Sequence, residues 1–192
     1  MSTGRPWGRL RARIYAFMFR DPESNRVTVE LAGLQADDRA LDVGCGPGAA
    51  VAAAAAQIGA DHVSAVDPSA AMVEIARSRV PGADIRVAGA EALPFAEGAF
   101  TTAWTVASFH HWPDQQAGIA ELSRVMAPNG RVLIVERHLR RGQGHGLSRQ
   151  SAEALSERLR QAGFGRVSVT RHQAKRMPML VLEAVKTPPP QV

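Results

Sequence analysis

Cysteine is almost missing from this chain. Cys45 stands alone, so no disulfide can close within it and a disulfide-stapled scaffold is excluded. Aromatic residues supply only 5% of the sequence, and lysine occurs only at Lys175 and Lys186, leaving arginine to carry nearly all the positive charge. No apolar run approaches the ~18–20 residues that a membrane span requires. Leu10 to Phe19 is too short and is interrupted by Arg11 and Arg13. Those arginines also deny the start the unbroken apolar core of a signal peptide, so a cytoplasmic protein without a membrane span is expected. There is no internal repeat.

What is present fits one globular domain. The chain has 192 residues, 45% hydrophobic and 21% charged, enough for one real core and too few for two comfortable ones. The formal net charge of +5 is unevenly placed. Residues 1–20 carry five Arg and no acid, residues 21–136 carry seven Arg against fifteen acids, and residues 137–192 carry eleven cations against three acids. An acidic middle between basic ends suits an anionic partner, or is simply the solvated surface of an arginine-rich protein.

Strand and helix signals alternate along the middle. Helices are expected at 10–19 and 24–33, separated by Pro22 and closed by Gly33. Strands are expected at 40–43, 62–66, 85–88, 102–107 and 131–136. Between them lie helices at 49–58, at 70–79 (capped by Ser69) and at 114–126, the last stopped by a Pro128-Asn129-Gly130 turn. That alternation predicts a parallel sheet covered on both faces, a doubly wound α/β sandwich. After a Gly- and Arg-rich loop from Arg137 to Gly146, a helix over 148–162 precedes two strands, 166–171 and 179–186. With no helix between them they should pair antiparallel, giving a mostly parallel seven-stranded sheet with an antiparallel C-terminal pair. The division expected is an N-terminal helical cap over 1–35, the sheet domain over 36–187 and a frayed proline-rich tail over 188–192.

The chemistry-bearing segment is Leu41-Asp42-Val43-Gly44-Cys45-Gly46-Pro47-Gly48, leaving a strand and entering a helix. Glycines there permit a tight turn and let a ligand approach backbone N–H groups. Asp67 ends the next strand, twenty-three residues after Gly44, where a carboxylate can accept from two ribose hydroxyls. Two cofactors fit this pattern, a dinucleotide or S-adenosylmethionine. Asp42 would repel a pyrophosphate and attract an ammonium group, and Pro47 removes an N–H that an anion would use.

These residues resemble the class I S-adenosylmethionine-dependent methyltransferases, particularly the branch that includes the ubiquinone/menaquinone-biosynthesis enzymes. Leu41 to Gly48 resembles the first motif of that family, and Val66-Asp67-Pro68-Ser69 with Met72 its second. Ala90 to Phe95 resembles the adenine-side motif, Phe109 to Asp114 the segment after strand four, and Leu122 to Arg131 the turn into strand five. A weaker echo lies in Gln161 to Phe164. The resemblance implies a Rossmann-like fold, S-adenosylmethionine as cofactor and S-adenosylhomocysteine as product. It implies that Gly44, Gly46 and Gly48 cradle the methionine part, with Asp42 and the small filler Cys45 beside it. It assigns Asp67 to the ribose diol, Pro68 and Met72 to the adenine face, Ala90 and Glu91 to its edge, and Val106 and Ala107 to the underside of the methionine moiety. Two departures stand out. Gly89 replaces a common Asp, with Glu91 the residue to compensate, and Thr101 replaces an Asp ahead of strand four in a structural role.

Methyl transfer from a sulfonium needs chiefly alignment and desolvation. His111, after strand four, is the catalytic or orienting candidate. Tyr15, His110, Glu136 and His138 are further candidates for a base, His138 and His145 for acceptor contact, Ser108 and Tyr15 for the methionine carboxylate, and Trp112 for the acceptor pocket. The six histidines show no metal-ligand spacing, and adjacent His110 and His111 should point apart, so no metal is expected. A Pro-Pro-aromatic motif after strand four, usual in amide- and base-modifying methyltransferases, is absent. The expectation is a small-molecule acceptor, with anionic character suited to the arginines, bound by a monomer or homodimer. The alternatives are an RNA methyltransferase using the basic ends, a nicotinamide-dependent reductase, and a non-catalytic S-adenosylmethionine-binding protein.

Overall fold

The structure, a computed structural model, describes residues 23–139, 144–175 and 177–188. The expected helix over 10–19, and with it Trp7 and Tyr15, lies outside the described residues, as do Arg140, Arg141 and most of the proline tail.

Seven strands form one sheet in the order β3-β2-β1-β4-β5-β7-β6. They are β1 (Ala40–Val43), β2 (Val63–Asp67), β3 (Asp84–Val87), β4 (Phe100–Val106), β5 (Met126–Arg137), β6 (Phe164–Ala174) and β7 (Met177–Lys186). The first five run parallel, and β7 lies antiparallel between β5 and β6. The helices are α1 (Glu23–Ala32), α2 (Ala49–Ile58), α3 (Ala70–Arg79), α4 (Gln115–Val125) and α5 (Arg149–Gln161). Among the described residues no helix is long and apolar enough to cross a membrane.

Side chains on a strand alternate between faces, and β1 shows how two cores result. Leu41 and Val43 enter a cluster with Ile119, Leu122, Leu155 and Leu159 of α4 and α5. Ala40 enters the opposite cluster, with Val29, Val51, Val73 and Trp104, beneath α1, α2 and α3. Of the expected N-terminal cap, α1 is therefore an integral part of one helical layer.

The predicted helix and strand ends hold where glycine or proline marks them, as for α2, α3 and β1. Two details differ. Ser69 occupies the cap position of α3 without a side-chain capping bond; its N–H donates to Asp67 Oδ1 at 2.8 Å instead. Pro128-Asn129-Gly130 is no free turn but part of β5. Phe100 pairs with Met126 and Thr102 with Arg131, so the intervening residues bulge from the ladder, with Asn129 at φ 63°.

Candidate functional site

Strand order reverses between β1 and β4, because β2 and β3 extend one way from β1 while β4 and β5 extend the other. In open parallel sheets that switch point leaves a crevice at the carboxyl ends of the strands. The glycine loop closes β1 there. Gly44, Gly46 and Gly48 all have positive φ, at 80°, 51° and 78°. A Cβ on Gly44 would overlap Ser108 Oγ, and one on Gly48 would come within 2.9 Å of Ala76 Cβ on α3. Gly46 differs, for a Cβ there would meet nothing within 4 Å. Gly44 and Gly48 thus serve the close packing of the loop, and Gly46 borders open space.

Asp67 holds this loop. Its Oδ2 accepts from Gly46 N–H at 2.9 Å and its Oδ1 from Ser69 N–H at 2.8 Å. Burial raises the Asp67 pKa, opposed by those N–H groups. Two bonds leave lone pairs to spare on a carboxylate, so Asp67 can still accept from a ligand. Asp42 lies deeper, 2% exposed, between Ala65 of β2 and Trp104 of β4. Burial pushes its pKa to about 7, and the charge of Asp67 adds to the rise. The Trp104 indole N–H favours the charged form but closes no hydrogen bond of good geometry. Cys45 is buried, and burial with the neighbouring Asp42 and Asp67 charges drives its thiol pKa up. A thiol kept protonated is a packing group, not a nucleophile.

Three further segments reach the same edge. Met72 is buried in α3 and Pro68 is exposed at its approach. After β3, Ala90 is buried and Glu91 half-buried. Glu91 Oε2 lies 2.6 Å from where a Cβ on Gly89 would sit, so this carboxylate fills the volume that a side chain at 89 would take. After β4, Val106 leads to Ala107, which is exposed at φ 50° and donates its N–H to Val135 O at 2.8 Å. A left-handed alanine is backbone strain. Thr101 at the other end of β4 is structural, as expected. Its hydroxyl donates to Asp38 Oδ1 at 2.5 Å and accepts from Arg39 N–H at 3.0 Å.

Beyond Ala107, a short 3-10 turn spans Phe109–His111. Here the expectation that His110 and His111 point apart fails, because the tight turn brings their ring centroids to 3.9 Å. His145 joins them, 5.2 Å from His110 and 5.4 Å from His111. His110 Nδ1 lies 2.8 Å from Oε2 of Glu136, which is 1% exposed. Burial and the neighbouring imidazoles lower the pKa of exposed His111. Glu136 is thus committed to His110. Trp112 is buried in the core, 4.9 Å from the Phe109 ring and packed over Gly118. His138 is placed by its own N–H, which donates to Pro178 O at 2.9 Å.

Known proteins resemble the chain over the segment that carries these residues. Residues 41–134 match the methyltransferase domain family model. The chain is 34% identical over 155 residues to the 27-O-demethylrifamycin SV methyltransferase of Amycolatopsis mediterranei, covering 76% of this chain and 54% of that protein. It is 32% identical over 115 residues to the demethylmenaquinone methyltransferase of Thermus thermophilus, covering 58% and 52%. The chain therefore spans about half the length of these curated relatives. A phosphoethanolamine N-methyltransferase of Haemonchus contortus, solved with phosphomonomethylethanolamine and S-adenosylhomocysteine, shares the fold at a TM-score of 0.73 and 19% identity, over 94% of this chain and 58% of that one.

Proposed function

We propose that this chain, whose residues 41–134 match the methyltransferase domain family model, transfers a methyl group from S-adenosylmethionine to a small-molecule acceptor. The observation that carries the reading is the glycine loop at the sheet's switch point, open at Gly46 and tied to the end of β2 through Asp67. A sulfonium cofactor supplies an electrophilic methyl, whose bond to sulfur breaks as the acceptor's bond forms and whose electron pair stays on sulfur.

The chain's residues do the holding. The Gly44–Gly48 loop, with Cys45 as filler, receives the methionine part, whose ammonium draws Asp42, its pKa raised to about 7 by burial in the free chain, into its charged form. Asp67 accepts from the ribose hydroxyls with its remaining lone pairs. Met72 and Pro68 pack on the adenine, with Ala90 and Glu91 at its edge. Glu91 takes the place of the side chain that Gly89 lacks. Val106 and the strained Ala107 pass beneath the methionine moiety, beside Ser108. His111 contacts and orients the acceptor. The names of the two methyltransferase relatives support a small organic acceptor, and the arginines of the 137–149 stretch support an anionic one. The basic ends also suit RNA, and that reading requires acceptor affinity to fall steeply with salt.

Calorimetric titration with S-adenosylhomocysteine, with NADH and NADPH as controls, tests the cofactor. Binding of S-adenosylhomocysteine alone is expected. Asp67→Ala, confirmed folded by circular dichroism, should lose about 2–4 kcal/mol of that binding, or roughly 30- to 800-fold. Unchanged affinity would remove the ribose assignment, and preference for a nicotinamide would overturn the reading.

A further inference from the structure

Three imidazoles converge on the segments that follow β4 and β5. One nitrogen from each of His110, His111 and His145 lies within 4.8 Å of the other two. The set is not a solvated histidine patch, because its inner member is anchored. Glu136, buried at the end of β5, holds His110 Nδ1 at 2.8 Å and also receives the His110 backbone N–H at 3.3 Å. A carboxylate on Nδ1 fixes the tautomer with its proton there and leaves the Nε2 lone pair uncommitted. That Nε2 is buried and has no hydrogen-bond partner among the described residues. An orphaned buried polar atom calls for an occupant. A carboxylate behind a histidine, with the other ring nitrogen free, is the support that metal-ligating histidines use.

We propose that His110, His111 and His145 bind a divalent transition-metal ion, zinc foremost, with Glu136 as the positioning residue behind His110. Three imidazoles with an open fourth position suit Zn²⁺, and copper, nickel and iron are the other ions that imidazole favours. Nitrogens around a tetrahedral zinc stand about 3.3 Å apart, from bonds of about 2.0–2.1 Å. The exposed His111 and His145 side chains therefore swing inward on binding, while His110 stays where Glu136 holds it. The ion would sit at the same carboxyl edge of the sheet as the glycine loop. One consequence rests on the methyltransferase reading: the open position is offered to an anionic oxygen of the acceptor, and His111 then acts on the acceptor through the ion. Metal binding itself does not rest on that reading.

The test is calorimetric titration of the chelator-treated full chain with ZnCl₂, repeated with CoCl₂ while following visible absorption. One Zn²⁺ per chain is expected, with an intense tetrahedral band for Co²⁺. His145→Ala, at an exposed position, should weaken zinc at least tenfold. Glu136→Gln should weaken it roughly 10- to 100-fold. His172→Ala, on β6, should change nothing. Failure to bind zinc saturably, or a loss of less than tenfold in His145→Ala, overturns the site. S-adenosylhomocysteine titrations run in parallel keep the two ideas apart. Zinc binding without S-adenosylhomocysteine binding sinks the methyltransferase reading alone, and the reverse sinks the metal site alone.

Discussion

Two glycines separated by one residue have opposite tolerances. A methyl group on Gly44 would overlap Ser108 Oγ, whereas one on Gly46 meets no atom within 4 Å. Both positions have positive φ, so either alanine carries strain of about 1–2 kcal/mol. Gly46→Ala should therefore stay folded, with a melting temperature only a few degrees lower, yet lose S-adenosylhomocysteine affinity at least tenfold because its methyl enters the space left for the ligand. Gly44→Ala should fail in both respects. Melting curves and calorimetry on the pair check this, and a Gly46→Ala protein with native affinity would show that the ligand does not approach Gly46. Glu91 is the other instructive residue. Gly89 leaves room for a side chain, and the carboxylate two positions on occupies that volume.

At the scale of elements, the starts of α4 and α5 are held by single side chains, Asp114 and Ser148. Asp114 accepts from the N–H groups of Gln116 and Ala117 at 2.9 and 3.0 Å and so caps α4. Asp114→Ala should cost about 1 kcal/mol and lower the melting temperature by about 2–4 °C, and an unchanged melting point would mean water replaces the cap. No side-chain bond caps α2 or α3; the glycines and prolines that flank them and β1 are what made these elements readable from local signals. The bulge in β5 was not readable, because Pro128-Asn129-Gly130 has turn chemistry and only the pairing of Phe100 with Met126 draws it into the sheet. The loop and Asp67 were legible because both lie in strand-loop-helix context. The convergence of His145 with His110 and His111 was hidden, since it depends on where the segment after β5 returns. The one local hint was a pair of adjacent histidines just past a strand at the ligand edge.

For the whole molecule, the buried acid on β1 ties stability to pH. The Asp42 pKa rises from 3.8 to about 7 through burial. Its contribution is therefore fully present below pH about 4 and is lost as pH rises through about 7. That shift corresponds to about 4 kcal/mol. Asp42→Asn, which imitates the protonated acid, should match the natural chain near pH 4 and exceed it by up to that amount near pH 8. Denaturant titrations at both pH values measure the difference, and a difference constant with pH would show that Asp42 is not held neutral. The sheet's strand order has a consequence of another kind. β7 lies between β5 and β6, although it is made after both. As the chain folds, β6 thus has no partner and β5 keeps one open side until residues 177–186 insert between them. Before that insertion the edge of β5 is bare, the state in which chains meet one another rather than themselves. A chain cut before residue 177 should therefore aggregate on refolding from denaturant, whereas one cut after residue 188 should refold, and light scattering during refolding separates the two.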